Sequence, residues 1–135
     1  MGYISLCAWR EARGEGEDGM RGVIHVIGNR VAAWYSREIE PWHYAIYKHG
    51  QFTSMSDPSD PQYRLFPAAD DPQYLYCTQV APIIVAGKDY DLTEGALYYA
   101  NLSEIPKGGW FDKYIVQHPE THPVLAVIAH TTFFA

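Results

Sequence analysis

A long segment of the sequence carries apolar residues at helical spacing, and this pattern limits the possible folds more than any other. Between residue 17 and about residue 37 they recur every three or four positions, which marks one face of a helix; they are Met20, Val23, Ile24, Ile27, Val31 and Trp34. Small residues, which let another element approach closely, occupy the opposite face: Gly22, Gly28, Ala32 and Ala33. The pattern predicts a central helix that braces its neighbours.

A shorter helix is predicted just before it, from Tyr3 to Arg13, because this stretch lacks Pro and Gly and is rich in helix formers. Glu11 falls in the last turn of this helix. At helical spacing it shares a face with Ala8, Cys7 and Ile4, so its carboxyl group has small and apolar neighbours.

The position of Glu11 suggests general-acid chemistry. Burial against apolar side chains and the negative end of a helix dipole both disfavour the ionised form of a carboxyl group. A protonated acid is what cleavage of a glycosidic bond requires. The alternative is that Glu11 and Glu15 are ordinary solvated acids around a helix end, with Gly14 as the stop signal.

The rest of the chain predicts loops, one further helix and a small sheet. Residues 41–72 mix aromatics with Pro, Ser, Asp and Gly, which favours loops with short helical pieces. A helix is predicted over Pro72–Gly87, and Pro82 is expected either to bend it or to end its first half. Strands are predicted over Gly95–Asn101 and Val124–Phe134, which could pair in an antiparallel sheet. The fold class is therefore α+β, mostly helical.

Length and charge limit the classes of function. The 135 residues predict a single domain, 1–135, which we expect to be a monomer. A net charge of −6 with only 10 basic residues argues against a nucleic-acid partner. No run of about 18 apolar residues and no secretory signal is visible, which predicts a soluble protein made in the cytoplasm without a signal peptide. Cys7 and Cys77 are too few for a disulfide framework, although a bridge between them stays open.

Metal and cofactor sites find little support in the sequence. His118 and His122 are four residues apart, but Pro119 and Pro123 disfavour the helix that would aim both imidazoles at one zinc ion. No phosphate-cradling or dinucleotide motif is present, and no Ser-His-Asp pattern is visible near Ser54. We therefore expect neither a metal nor a cofactor.

Four segments, in this order, resemble the cell wall hydrolase family that includes spore-cortex-lytic enzymes (SleB/CwlJ type). The first runs from Glu11-Ala12-Arg13-Gly14-Glu15 to Asn29-Arg30 and is similar to the opening of the family. The others are similar to its Phe-Ser segment, its aromatic-Asn strand and its closing His-x-x-Phe strand; they are Gln51–Asp57, Gly95–Asn101 and Ala129–Phe134. The resemblance covers nearly the whole chain.

This resemblance implies a lysozyme-like catalytic domain that cleaves the glycan strands of peptidoglycan with Glu11 as the acid. The similar segments would supply the substrate-binding residues, which are Glu15, Phe52, Ser54, Tyr98, Asn101 and His130. For Glu15 and His130 a structural role stays open. Since strand residues alternate in direction, we expect only one of Tyr98 and Tyr99 to line the cleft.

The bond cleaved is expected to be the β-1,4 bond between N-acetylmuramic acid (MurNAc) and N-acetylglucosamine (GlcNAc). Because the sequence marks one carboxyl group and glycosidases ordinarily need two, a lytic transglycosylase is favoured over a hydrolase. The expected setting is a phage or prophage lysis protein (endolysin) or a virion-borne enzyme. The alternatives are a non-catalytic sugar-binding or virion structural module, and a zinc-dependent amidase built on His118 and His122.

Overall fold

The computed structural model describes residues 1–135 and confirms the α+β class. Three long helices come first and a small sheet closes the chain. The helices are α1 (Gly2–Ala12), α2 (Gly16–Arg30), α3 (Pro41–Tyr47), α4 (Thr53–Ser56) and α5 (Pro72–Val85); the strands are β1 (Tyr98–Ala100), β2 (Val124–Ile128) and β3 (Thr131–Phe134). A 3-10 turn over Arg13–Glu15 separates α1 from α2, and π-helical turns cover Val31–Tyr35 and Asp112–Val116.

The predicted central helix is α2, which packs against both α1 and α5. Its apolar face is buried as predicted at Met20, Val23, Ile24 and Ile27. The α-helical geometry ends at Arg30 and gives way to a π-helical turn, so the last residue of the predicted stripe, Trp34, remains 42% exposed.

Two glycines on the small face of α2 allow close packing. A Cβ atom at Gly22 would lie 2.8 Å from Cζ of Phe133 in β3. At Gly28 it would lie 2.9 Å from the Trp42 ring in α3. The sheet and α3 therefore approach α2 at the positions where the sequence has no side chain, while Ala32 and Ala33 further along are exposed.

Helix α5 confirms the predicted Pro72–Gly87 helix, with one difference. Asp71 caps its first turn by accepting hydrogen bonds from the backbone N–H groups of Gln73 and Tyr74. Pro82 lies inside the helix and does not end it. The helix ends at Val85, and Gly87 shortly after it has a φ of 71°, in the left-handed region that glycine adopts freely.

The three strands form one antiparallel sheet in the order β1-β3-β2. The prediction of one final strand over Val124–Phe134 is wrong, because the chain reverses at Ala129-His130 and makes a hairpin. Two-residue hairpin turns usually contain Gly or Asn, which tolerate positive φ. Here Ala129 adopts a φ of 51°, so the sequence carries no turn signal at this point.

A polar cluster ties the loop before β1 to α2. Asp89 accepts two hydrogen bonds from Arg21, at 2.7 and 3.2 Å, and its Oδ2 lies 2.6 Å from Nε2 of His25. The hydrogen bond from Arg21 holds the pKa of the Asp89 carboxyl below its ordinary value. Asn29 donates to Asp91 at 2.9 Å. These bonds fix the direction from which the chain enters β1.

The two cysteines are free and buried in the helical core. Sγ of Cys77 lies 3.4 Å from Sδ of Met20, and burial raises the pKa of this thiol to about 12. Both side chains therefore act as small apolar groups. None of the helices combines the length and apolarity needed to cross a membrane.

Candidate active site

A cleft of about 340 Å³ opens where α1, α2, β1 and two loops meet. Segments from distant parts of the sequence contribute its walls. The lining residues are Glu11, Arg30, Trp34, Gly50, Gln51, Phe52, Tyr98, Tyr99, Trp110 and Phe111. Six of the ten are aromatic, and Glu11 supplies the one carboxyl group.

The carboxyl group of Glu11 is held by Tyr99. The Tyr99 hydroxyl donates a short hydrogen bond to Oε1 of Glu11. Burial and the nearby Glu11 carboxyl raise the pKa of the Tyr99 hydroxyl well above its ordinary value, so it stays a donor at any neutral pH. Oε2 has no hydrogen-bond partner in the chain and is not buried. One oxygen is thus fixed and the other is free to meet a ligand.

Arg30, at the end of α2, places a positive charge in the same cleft. Its side chain is buried, and Nε donates to the carbonyl oxygen of Leu97 at 2.7 Å. The guanidinium carbon lies 5.3 Å from the Phe52 ring and 5.8 Å from the Tyr98 ring, distances at which a cation is attracted to an aromatic face. Arg30 therefore connects Leu97, the residue just before β1, to the segment that contains Phe52.

Two tryptophans give the cleft exposed aromatic surfaces. Trp110 is 62% exposed and Trp34 is 42% exposed. Trp34 lies 5.8 Å from Tyr98, ring centre to ring centre, and Trp110 lies 6.2 Å from Phe111. Exposed rings of this kind offer flat apolar surfaces with a polar edge. Trp34 and Trp110 therefore supply exposed ring surfaces in the wall of the cleft.

Sequence reasoning did not assign Arg30, Trp34, Gln51, Trp110 or Phe111 to the site. Two sequence features could have indicated some of them. Arg30 ends the family-like segment Asn29-Arg30, and the aromatic pair Trp110-Phe111 follows Gly108-Gly109. Large aromatics directly after two glycines are hard to place in a core. Nothing in the local sequence indicates that this pair meets Glu11, which is about a hundred residues earlier.

Among the predicted substrate-binding residues, Phe52 and Tyr98 line the cleft. The expectation that only one of Tyr98 and Tyr99 could do so is wrong, because both are lining residues. β1 is an edge strand, so the cleft runs along its open side and side chains from both faces of the sheet reach it.

Ser54 and Asn101 lie outside this lining. Ser54 is fully buried, and its carbonyl oxygen accepts a hydrogen bond from Arg10 at 2.9 Å. Oδ1 of Asn101 accepts from the backbone N–H and the hydroxyl of Ser103, at 3.1 and 2.7 Å. The Ser54 hydroxyl is buried without a hydrogen-bond partner, whereas the Asn101 side chain stabilises the turn after β1.

Glu15 and His130 meet each other away from the cleft. Oε2 of Glu15 accepts a hydrogen bond from the His130 backbone N–H at 2.8 Å and lies 3.6 Å from the Nδ1 atom of its ring. The Glu15 side chain is 17% exposed, whereas the His130 side chain is 81% exposed. The contact joins the turn after α1 to the β2-β3 hairpin.

The two histidines considered for zinc have other partners. Nδ1 of His118 lies 2.9 Å from a carboxyl oxygen of Glu120, and Nδ1 of His122 lies 2.8 Å from the carbonyl oxygen of Ala135. The structure contains no group of three or more His, Cys, Asp or Glu side chains arranged to hold a metal ion.

Comparison with known families decides the class of protein. Residues 14–130 match the model of the family described as Cell Wall Hydrolase, which covers most of the chain. The chain belongs to the cell wall hydrolase family. As a cell wall hydrolase it degrades peptidoglycan. The match begins at Gly14, so Glu15 lies within it and Glu11 lies outside it, before its first residue.

The family match confirms the resemblance found in the sequence. Neither the curated proteins nor the solved structures that were compared with the chain include a match. The roles of individual residues in this cell wall hydrolase therefore have to be argued from its own geometry.

Proposed function

We propose that this cell wall hydrolase cleaves the MurNAc-GlcNAc β-1,4 bond as a lytic transglycosylase, with Glu11 as its acid and then its base. The observation that carries the proposal is the cleft itself. Glu11 is the one carboxyl group among its ten lining residues, and its Oε2 is unpartnered while Oε1 is held by Tyr99.

In the first step, protonated Glu11 donates its proton from Oε2 to the oxygen that links the two sugars. The bond between that oxygen and C1 of MurNAc breaks, and its electron pair stays with the departing GlcNAc, which leaves as an alcohol. Glu11 becomes a carboxylate. The Tyr99 hydroxyl, which keeps its proton, stabilises this negative charge through the hydrogen bond to Oε1.

In the second step, the Glu11 carboxylate removes the proton from the 6-hydroxyl of the same MurNAc. The hydroxyl oxygen then forms a bond with C1, which gives a 1,6-anhydro ring and returns Glu11 to its protonated form. No water is consumed. A group held next to its target within one molecule reacts as if at a very high concentration, which favours ring closure over attack by water.

The surroundings of Glu15 support this choice over a hydrolase. Retaining and inverting glycosidases place two carboxyl groups roughly 5 to 9.5 Å apart across the bond to be cleaved. Glu15 is the acid nearest to Glu11 along α1 and the following turn, yet its carboxyl oxygen is bonded to His130 and does not line the cleft. No second carboxyl group stands ready to direct water onto C1.

Substrate binding is assigned to the aromatic walls. Trp34, Tyr98 and Trp110 offer ring faces for the apolar faces of the sugars. Phe52 is almost fully buried, so it shapes the floor of the cleft beneath Arg30. Arg30 can donate to carbonyl or carboxylate oxygens of the substrate.

The test is product analysis after complete digestion of purified peptidoglycan. Mass spectrometry is expected to show 1,6-anhydromuramic ends that resist borohydride, while a parallel digest with a hydrolytic muramidase gives reducible ends. Predominantly reducible muramic ends would contradict the transglycosylase and indicate a second acid. Free stem peptides with intact glycan strands would indicate an amidase and remove Glu11 from the chemistry.

A further inference from the structure

A groove on the far side of α1 from Glu11 has no part in the chemistry described above. It consists of two adjoining depressions of about 410 and 360 Å³ that share Leu6, Tyr47 and Phe66. The α4 segment separates it from the cleft, since Phe52 lines the cleft and Met55 lines the groove.

The groove is unusually rich in aromatic side chains. Five of them line it: Tyr3, Tyr47, Tyr63, Phe66 and Tyr74. Phe66 is 69% exposed and lies among the other four rings, so the groove forms a contiguous patch rather than a single exposed side chain. Tyr99 is the one tyrosine whose hydroxyl hydrogen-bonds within the chain, so the four groove hydroxyls are free to bind a ligand.

The charge of the groove is opposite to that of the molecule. Its lining includes Arg10 and Arg64 and no acid, although the protein has a net charge of −6. Arg10 is fixed, because it donates to the carbonyl oxygens of Leu65 and Ser54 and lies 4.8 Å from the Phe66 ring. Arg64 is exposed and free to pair with an anion.

We propose that this groove is a second binding site for peptidoglycan, which holds a stretch of the same glycan strand outside the cleft. Aromatic faces and free hydroxyl groups suit the sugars, and the exposed Arg64 suits a carboxylate of the stem peptides. The proposal rests on the substrate of the proposed function but not on its reaction. The site retains the enzyme on an insoluble polymer between cleavage events.

Binding of purified peptidoglycan sacculi, measured by sedimentation, tests the proposal. The variants are Phe66→Ala and Arg64→Ala in a Glu11→Gln background, which prevents digestion. We expect each to weaken binding by about fivefold to tenfold, as loss of a central contact does. The matched controls are Tyr90→Ala and Arg37→Ala, which remove an exposed ring and an exposed charge outside the groove. The effect of Arg64→Ala is expected to diminish in high salt.

Turnover on two substrates separates the groove from the cleft. With Glu11 intact, Phe66→Ala is expected to slow the clearing of sacculi and to leave cleavage of a short soluble tetrasaccharide muropeptide close to wild type. Unchanged binding in both variants would overturn the proposal, and so would an equal loss on both substrates. A change from dimer to monomer in Phe66→Ala would assign the groove to a second copy of the chain.

These outcomes are independent of the reaction type. Reducible product ends or an active Glu11→Gln enzyme would overturn the proposed chemistry. In that case sacculi binding is measured in the cold with the wild-type background, and it still decides whether the groove holds the polymer.

Discussion

Glu11 and Glu15 are four residues apart, and the fold uses them in opposite ways. Glu11 lines an aromatic cleft, where Tyr99 holds one of its oxygens and leaves the other free. Glu15 faces the β2-β3 hairpin and accepts a hydrogen bond from the His130 backbone. One carboxyl group is available to a ligand, whereas the other fastens the helical part of the molecule to the sheet.

The difference arises from the backbone between them. On a continuous α-helix, residues four apart lie on the same face. Here α1 ends at Ala12 and a 3-10 turn over Arg13–Glu15 follows, so the two side chains diverge. Spacing in the sequence is thus a poor guide to whether two acids act together when a helix end lies between them.

The largest expected effect is that of Glu11→Gln. The amide keeps the shape of the side chain but cannot donate the proton, so clearing of peptidoglycan should fall by roughly 10²- to 10⁴-fold. Loss of turbidity measures the activity, and a thermal melt checks that folding is intact. Glu17→Gln, at an exposed position nearby, is the control. Activity of Glu11→Gln near that of wild type would remove the distinction between the two acids.

Tyr99→Phe tests whether the held oxygen of Glu11 matters. The variant keeps the ring and removes the donor to Oε1, a hydrogen bond to a charged group. We expect kcat to fall by about tenfold to a hundredfold, because the carboxylate formed in the first step loses its stabilising partner. KM should change little. Tyr98→Phe, which keeps the ring at the neighbouring position, is the control; equal kcat losses in both would deny Tyr99 its positioning role.

Glu15→Ala is expected to affect stability more than catalysis. It removes the acceptor for the His130 N–H, and since His130 is exposed, water can replace the lost bond. The cost should be about 1 kcal/mol, or a fall in Tm of roughly 3 to 6 °C, with the rate reduced only a few-fold. Glu15→Gln retains a carbonyl acceptor and should lie closer to wild type. A rate loss in Glu15→Gln as large as that of Glu11→Gln would make Glu15 the missing second acid.

The smallest expected effect is that of a chelator. EDTA should leave the rate unchanged, because His118 and His122 are each bonded elsewhere and the proposed chemistry uses Glu11 without a metal. His118→Ala should likewise retain activity. A zinc amidase assayed in parallel confirms that the chelator works. Loss of activity in EDTA that zinc restores would indicate a zinc amidase and would assign the chemistry to neither Glu11 nor Glu15.

The sequence predicted the parts of the fold that depend on local patterning. The sequence predicted three helices, α1, α2 and α5, and the end of α5 near Gly87, because apolar spacing and helix-end residues are local signals. The β2-β3 hairpin could not be predicted, since its turn contains Ala129 at a positive φ, which alanine rarely adopts. Of the cleft, Glu11 and two ring residues were named, whereas Trp110 was not, because only the folded chain brings it to Glu11.

Gly22 in α2 is connected to Glu11 through two aromatic residues, Phe133 and Tyr99. A methyl group there would press on Phe133, whose ring centre lies 5.9 Å from that of Tyr99, and Tyr99 in turn holds Glu11. Three successive contacts thus connect the α2 backbone at Gly22 to the carboxyl group of Glu11. We expect Gly22→Ala to displace Phe133 and Tyr99 and, through them, the carboxyl group of Glu11, although position 22 lies outside the cleft lining.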